Sequence, residues 1–224
     1  MKLHEWFNNE ALNIWRSHSL RHRLAPLLLP EFEIEVDLML IGMNPSFREN
    51  WIAKKIKSHP EIFENETPES LLIWEELIHD SRIKKIIALE EIARAEDNQY
   101  FKKLEDFAKS CGAKTWTHAD TFLIRQTKQK EMLKTVYEGK ELSTYGYAQV
   151  DLLKQLIVKA KPKKVAILNA TASNIFQKHI ANDAGKKTFL HFAESTIFFG
   201  GMLSGQRCMD RYSQLRLIEQ IKNS

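Results

Sequence analysis

Apolar residues recur along this chain in two rhythms. Leu3, Trp6, Phe7, Ala11, Ile14 and Trp15 fall at helical spacing, so residues 1–30 are expected to form a helical arm packed on the body. Residues 36–42 (VDLMLIG) are an apolar run closed by turn residues, the pattern of a buried parallel strand. Helical spacing returns over 67–111. Thr67-Pro68-Glu69-Ser70 supplies the start signal, Asp97-Asn98 divides the stretch, and Gly112 supplies the C-cap. A second strand is expected over 115–124, a helix over 143–160 ending before Pro162, a third strand over 163–170 and a short helix over 171–181. Two β-rich runs, 188–192 and 196–199, lead into a glycine-rich loop at 200–207 and a closing helix over 209–222.

Strands alternating with helices predict an α/β fold: a three-layer, open, mostly parallel four-stranded sheet with helices on both faces. A chain of 224 residues fits a single domain of that kind, and no linker or repeat divides it. Ligands of such sheets bind beyond the C-terminal strand ends. Three polar clusters fall there: Asn44-Pro45-Ser46, Arg125-Gln126-Thr127, and the loop before the last helix.

Composition narrows the classes. Hydrophobic residues at 43 % and charged residues at 28 % exclude a disordered chain. No apolar run approaches the roughly 20 residues that span a bilayer. The opening MKLHEWFNNE turns polar within a few residues, and Cys111 and Cys208 are too few for a disulfide framework, so a cytoplasmic protein with reduced thiols is expected. The net charge of +4 conceals an asymmetry. Residues 1–112 carry 15 Lys+Arg against 20 Asp+Glu, whereas residues 113–224 carry 18 against 9. A basic second half suits an anionic partner, and it equally suits a lysine-rich solvated surface.

The candidate chemistry sits in the loops. Gly42 lets the chain turn off its strand and Pro45 fixes the backbone, so Asn44 would be held rigidly where an amide can orient water or bond a substrate. The segment lacks the Gly-Lys-Ser/Thr ending of a Walker loop and the repeated glycines of a dinucleotide fingerprint. The glycines of Gly200-Gly201-Met202-Leu203-Ser204-Gly205-Gln206-Arg207 would admit a ligand to the backbone, with Arg207 and Arg211 as nearby cations. His118 and Asp120 share a strand face and could pair. His18 and His22 have i, i+4 spacing but no further ligand, so no metal or cofactor is expected.

Taken together, the clusters resemble the uracil-DNA glycosylase superfamily. Gly42-Met43-Asn44-Pro45 is similar to the first motif of its mismatch-specific and single-strand-selective branches. Thr121-Phe122-Leu123-Ile124-Arg125-Gln126-Thr127 is similar to the second-strand segment ending in Arg-x-Thr. Residues 163–170 with Ser173 resemble the next strand and helix start. Ser195-Thr196-Ile197 through Ser204-Gly205-Gln206-Arg207 resembles the last strand and the loop that enters the minor groove. Three places depart from the pattern: Ser46 replaces a glycine, residues 47–66 are not the family's glycine-rich segment that closes over the base, and Gly201-Met202-Leu203 stands where the family has Asn-Pro or His-Pro.

The resemblance implies metal-free hydrolysis of an N-glycosidic bond in DNA carrying a damaged or mismatched base, performed by a monomer on a flipped-out nucleotide. It implies that Asn44 is catalytic and positions water. Gly42, Met43, Pro45, Ser46, Phe47 and Arg125 would hold the base, and Ser204, Gly205, Gln206, Arg207 and Arg211 would contact DNA. Two other readings stay open: a non-catalytic nucleic-acid-binding member of the same fold, motivated by Met202-Leu203, and an enzyme acting on a free nucleoside.

Overall fold

The structure is a computed structural model. It describes residues 1–18, 24–46, 48–74, 80–97, 99–180, 187–203 and 208–224. In chain order the elements are α1 (Leu3–Ser17), β1 (Leu38–Gly42), α2 (Glu49–Ser58), α3 (Pro60–Phe63), α4 (Pro68–Leu72), α5 (Asp80–Glu96) and α6 (Phe101–Ser110). There follow β2 (Trp116–Asp120), α7 (Gln129–Val136), β3 (Tyr137–Glu138), β4 (Glu141–Leu142) and α8 (Thr144–Ala160). The chain ends with β5 (Lys164–Leu168), α9 (Ala170–His179), β6 (Phe189–Phe192), β7 (Ser195–Gly200) and α10 (Arg211–Lys222). These elements fall into two compact units. The first holds Met1–Glu31, Asn44–Glu96 and Phe122–Gln149; the second holds Phe32–Met43, Asp97–Thr121 and Val150–Ser224.

The second unit contains the sheet, ordered β2-β1-β5-β7-β6. The first four strands are mutually parallel and β6 is antiparallel to β7. The α/β expectation holds, and the expected four strands become five because the run at 188–192 adds an antiparallel edge. All five residues of β1 are buried, as expected for a strand covered on both faces. Leu38 and Leu40 of β1, Ala166 and Leu168 of β5 and Phe198 of β7 form one face. Against it pack Leu104, Phe107 and Ala108 of α6 and Leu217 and Ile221 of α10. Phe199 lies on the opposite face, where Phe176 of α9 meets it at 6.1 Å between ring centroids. Helices therefore cover both faces of the sheet.

Local signals explain several ends. Gly112 adopts φ +77, and its N–H bonds Lys109 O at 3.0 Å while the Ala113 N–H bonds Ala108 O at 3.1 Å. This is a Schellman closure of α6, which a side chain at a positive φ would strain. Asp210 caps α10 by accepting from the Ser213 N–H at 2.9 Å and the Ser213 hydroxyl at 2.6 Å. Asn169 caps α9 through bonds from the N–H groups of Thr171 and Ala172.

Among the described residues, the regular elements of the first unit are helices apart from the β3–β4 hairpin and an isolated antiparallel bridge between Leu24 and Ile73. Asn8 of α1 exchanges two hydrogen bonds with the Leu29 backbone, at 2.8 and 2.7 Å, and Trp15 packs edge-on against Trp74 at 5.4 Å. The predicted start at Thr67 is a capping box: its hydroxyl accepts from the Ser70 N–H, and the Ser70 hydroxyl accepts from the Thr67 N–H. The long helical stretch is broken into α4, α5 and α6, with residues 75–79 and 98 outside the described residues.

The second strand corrects the sequence reading. β2 stops at Asp120 rather than running to 124. Phe122, Leu123 and Ile124 are buried without being strand. Their backbone is satisfied within the first unit instead: the Leu123 N–H donates to Gln149 Oε1 at 2.8 Å, and Leu123 O accepts from the Leu27 N–H at 2.8 Å.

Candidate functional site

Two clusters occupy the loops that the sequence singled out, one in each unit. In the first unit, Asn44 points its amide nitrogen at three backbone carbonyls: Pro45 O at 3.1 Å, Ile124 O at 3.2 Å and Gln126 O at 2.6 Å. The Gln126 N–H returns a bond to Pro45 O at 3.0 Å. Three acceptors around one atom fix which way the amide faces, since an oxygen there would meet only oxygens. Asn44 Oδ1 is thereby turned away from the carbonyls and has no hydrogen-bond partner among the described residues. Asn44 and Pro45 are half-buried and Ser46 is exposed. The Ser46 N–H also has no partner among the described residues, and Pro45 has none to offer. Phe47 lies outside the described residues.

Arg125 is placed differently from its expected role. Its guanidinium is buried and donates to Glu90 of α5, and its Nε donates to Ala25 O at 3.2 Å. Its charge is neutralised internally and its donors face backbone, so it braces the first unit and does not present itself to a base. Burial of both partners explains the pairing, because a lone charge at that depth would be costly.

In the second unit, Gly42 ends β1 beside Asp120, its register partner on β2. A Cβ built on Gly42 would lie 2.2 Å from Asp120 Oδ1, 3.1 Å from the Tyr100 hydroxyl and 3.3 Å from His118 Nε2. The position thus requires glycine because three polar side chains occupy the space above it. Tyr100 OH and His118 Nε2 are 3.1 Å apart, and His118 Nε2 and Asp120 Oδ1 are 3.7 Å apart. Tyr100 and Phe101 meet the His118 ring edge-on, each at 5.6 Å. Thr121 clamps the strand end: its N–H and hydroxyl donate to Gly42 O at 3.0 and 2.8 Å. Burial, followed by the charges of Asp120 and Asp97, pushes the Tyr100 phenol far above its ordinary value, so it stays neutral. The pairing of His118 with Asp120 was visible in sequence. Tyr100 was not, because it reaches the cluster from the start of α6, 18 residues away. Met43 follows as a buried apolar side chain.

The glycines that end β7 serve packing. A Cβ on Gly200 would come within 2.6 Å of Leu217, and one on Gly201 within 2.7 Å of Met209. They let α10 and its leading residue close onto the strand end, which replaces the expected close approach to a ligand at those two positions. Beyond them Met202 bridges Cys208, and the Met209 N–H donates to Met202 O at 2.8 Å. Ser204, Gly205, Gln206 and Arg207 lie outside the described residues. Arg211 is exposed in the first turn of α10. Cys111 is a buried thiol whose pKa burial raises to about 12, leaving it unreactive at neutral pH.

Comparison with known proteins adds no family to these observations: no protein-family model matches the chain, and no curated protein matches it either.

Proposed function

We propose that this protein is a DNA glycosylase that hydrolyses the N-glycosidic bond of uracil or a related damaged or mismatched base. The observation that supports this reading most is the orientation of Asn44. Its nitrogen is anchored on three carbonyls while its oxygen is left to accept a hydrogen bond. An amide oxygen is too weak a base to take a proton from water, but a fixed acceptor can hold a water molecule at one angle and distance. Positioning of that kind lowers a barrier without needing a titrating group. It suits a reaction in which the bond to the departing base is largely broken before water attacks. The Ser46 N–H, one residue beyond Pro45, would donate to the anion that forms on the leaving base. The basic second half of the sequence would supply the phosphate contacts.

One observation favours the non-catalytic alternative. Where the resemblance expects a polar side chain, Met202 is engaged in backbone pairing with Cys208 and Met209. Base release from labelled duplexes carrying U·G, U·A, T·G or hypoxanthine, and from single-stranded uracil, separates the two. Asn44→Ala is expected to lower release by about 100-fold while DNA affinity changes little. Equal release by Asn44→Ala and the natural chain would remove Asn44 from the mechanism. DNA binding without release from any substrate would select the binding protein.

A further inference from the structure

Helix α10 has two unlike faces. Leu217 and Ile221 face the core. Arg211, Tyr212, Leu215 and Arg216 recur at i, i+1, i+4 and i+5, which gathers them on one side of the helix. That side is turned to solvent: Tyr212 is 76 % exposed and Leu215 is 48 % exposed. Neither arginine has an ion-pair partner among the described residues. Asp210, next to Arg211, has its carboxylate occupied by Ser213, and Glu219, three residues beyond Arg216, forms no ion pair with it. α6, α10 and Leu203 border a cleft of about 270 Å³ lined by Lys103, Asp106, Phe107, Ser110 and Gln214, where Asp106 is paired with Lys102 at 3.2 Å. Lys103 also has no ion-pair partner among the described residues.

An exposed aromatic ring between two unpaired guanidinium groups does nothing for the core. It has the composition of a surface that takes a planar, anionic partner. Guanidinium groups bind phosphate in a two-pronged geometry, and an aromatic face accepts any nucleobase by stacking. Five residues of helix separate the arginines by about 7.5 Å along the axis, so the two guanidinium groups can reach different phosphates of one strand.

We propose that the outer face of α10 is a nucleic-acid contact surface, with Arg211 and Arg216 on backbone phosphates and Tyr212 stacked on an unpaired base. This extends the nucleic-acid part of the function proposed above and is independent of the hydrolytic chemistry. It adds Tyr212 and Arg216 to Arg211, which the sequence suggested together with Arg207.

The test is fluorescence anisotropy with a labelled single-stranded oligonucleotide and the matching duplex, over a salt series, for the natural chain, Tyr212→Ala and Arg216→Gln. Both side chains are exposed, and circular dichroism verifies that the variants fold. Tyr212→Ala is expected to weaken single-strand binding about tenfold. Arg216→Gln is expected to lower the slope of log affinity against log salt by about 0.7 on single strands. Unchanged affinity and slope in both variants, with the natural chain binding, would overturn the proposal. So would variants that alter only the oligomeric state in light scattering, which would assign the face to a second copy of the chain. Binding that depends on Tyr212, without base release, would keep this surface and remove the glycosylase reading. A natural chain with no affinity for either oligonucleotide at low salt would remove both.

Discussion

At the scale of single residues, motif position and side-chain role are separable. Asn44 and Arg125 were read from the same kind of signal, a polar residue just past an apolar strand. Asn44 keeps one polar atom without a protein partner, whereas Arg125 has its guanidinium enclosed by Glu90 and the Ala25 carbonyl. Nothing in the local sequence distinguishes them, because Glu90 is 35 positions from Arg125 and Ala25 is 100. The brace makes a sharp prediction. Arg125→Ala strands a buried carboxylate and should lower unfolding free energy by about 3–5 kcal/mol. Arg125→Met combined with Glu90→Leu removes both charges and should recover most of that loss. Urea unfolding of the three proteins checks it, and a double variant no more stable than Arg125→Ala would show that the ion pair is not what the position needs.

At the scale of elements, the strands were legible wherever an apolar run ended in a turn. β1 and β5 lie within the predicted runs, and the end of α6 falls where Gly112 announced it. The misreadings have two causes. Periodicity reports burial, and burial does not distinguish a strand from an enclosed loop, so Phe122–Ile124 passed for a continuation of β2. The segment 49–58 escaped because α2 buries only Ile52 and Ile56, a narrow stripe among lysines. α7 and the hairpin around Gly139, at φ +65, escaped in the same way.

One inter-strand tie has a pH signature. The Asp37 carboxylate, just before β1, accepts from Lys114 and Thr115 N–H ahead of β2 and from Lys163 Nζ ahead of β5. Those donors, the Lys163 ammonium foremost, lower its pKa from 3.8 to about 2. Because the folded value is the lower one, the carboxylate stabilises the fold fully above about pH 4, and that contribution fades as pH falls through about 2. Asp37→Asn should therefore melt below the natural chain at pH 7, by a gap that narrows in acid. A constant gap from pH 7 to pH 2 would contradict the assignment.

At the scale of the whole molecule, the charge asymmetry of the halves does not coincide with structural units. Each unit is assembled from three separated stretches of chain. The basic half, 113–224, lacks β1, the strand that lies between β2 and β5. Expressed alone, it is expected to lack cooperative thermal unfolding and dispersed amide resonances; a sharp two-state melt from that fragment would contradict the sheet order. The architecture was legible because helix–strand alternation survives interruption. The partition into units was not, because it depends on which distant stretches meet.

The place of β1 in that order also bears on how the protein is made. Its five buried residues leave the ribosome early, yet β2 follows about 70 residues later and β5 about 120 residues later. At the usual synthesis rate of roughly 5–20 residues per second, the Leu-Met-Leu-Ile segment waits about 6–24 s for its second neighbour. Until β2 emerges both edges of this apolar strand are open, and until β5 emerges one edge stays open, the kind of surface that chaperones hold and that nascent chains of one message can share with each other.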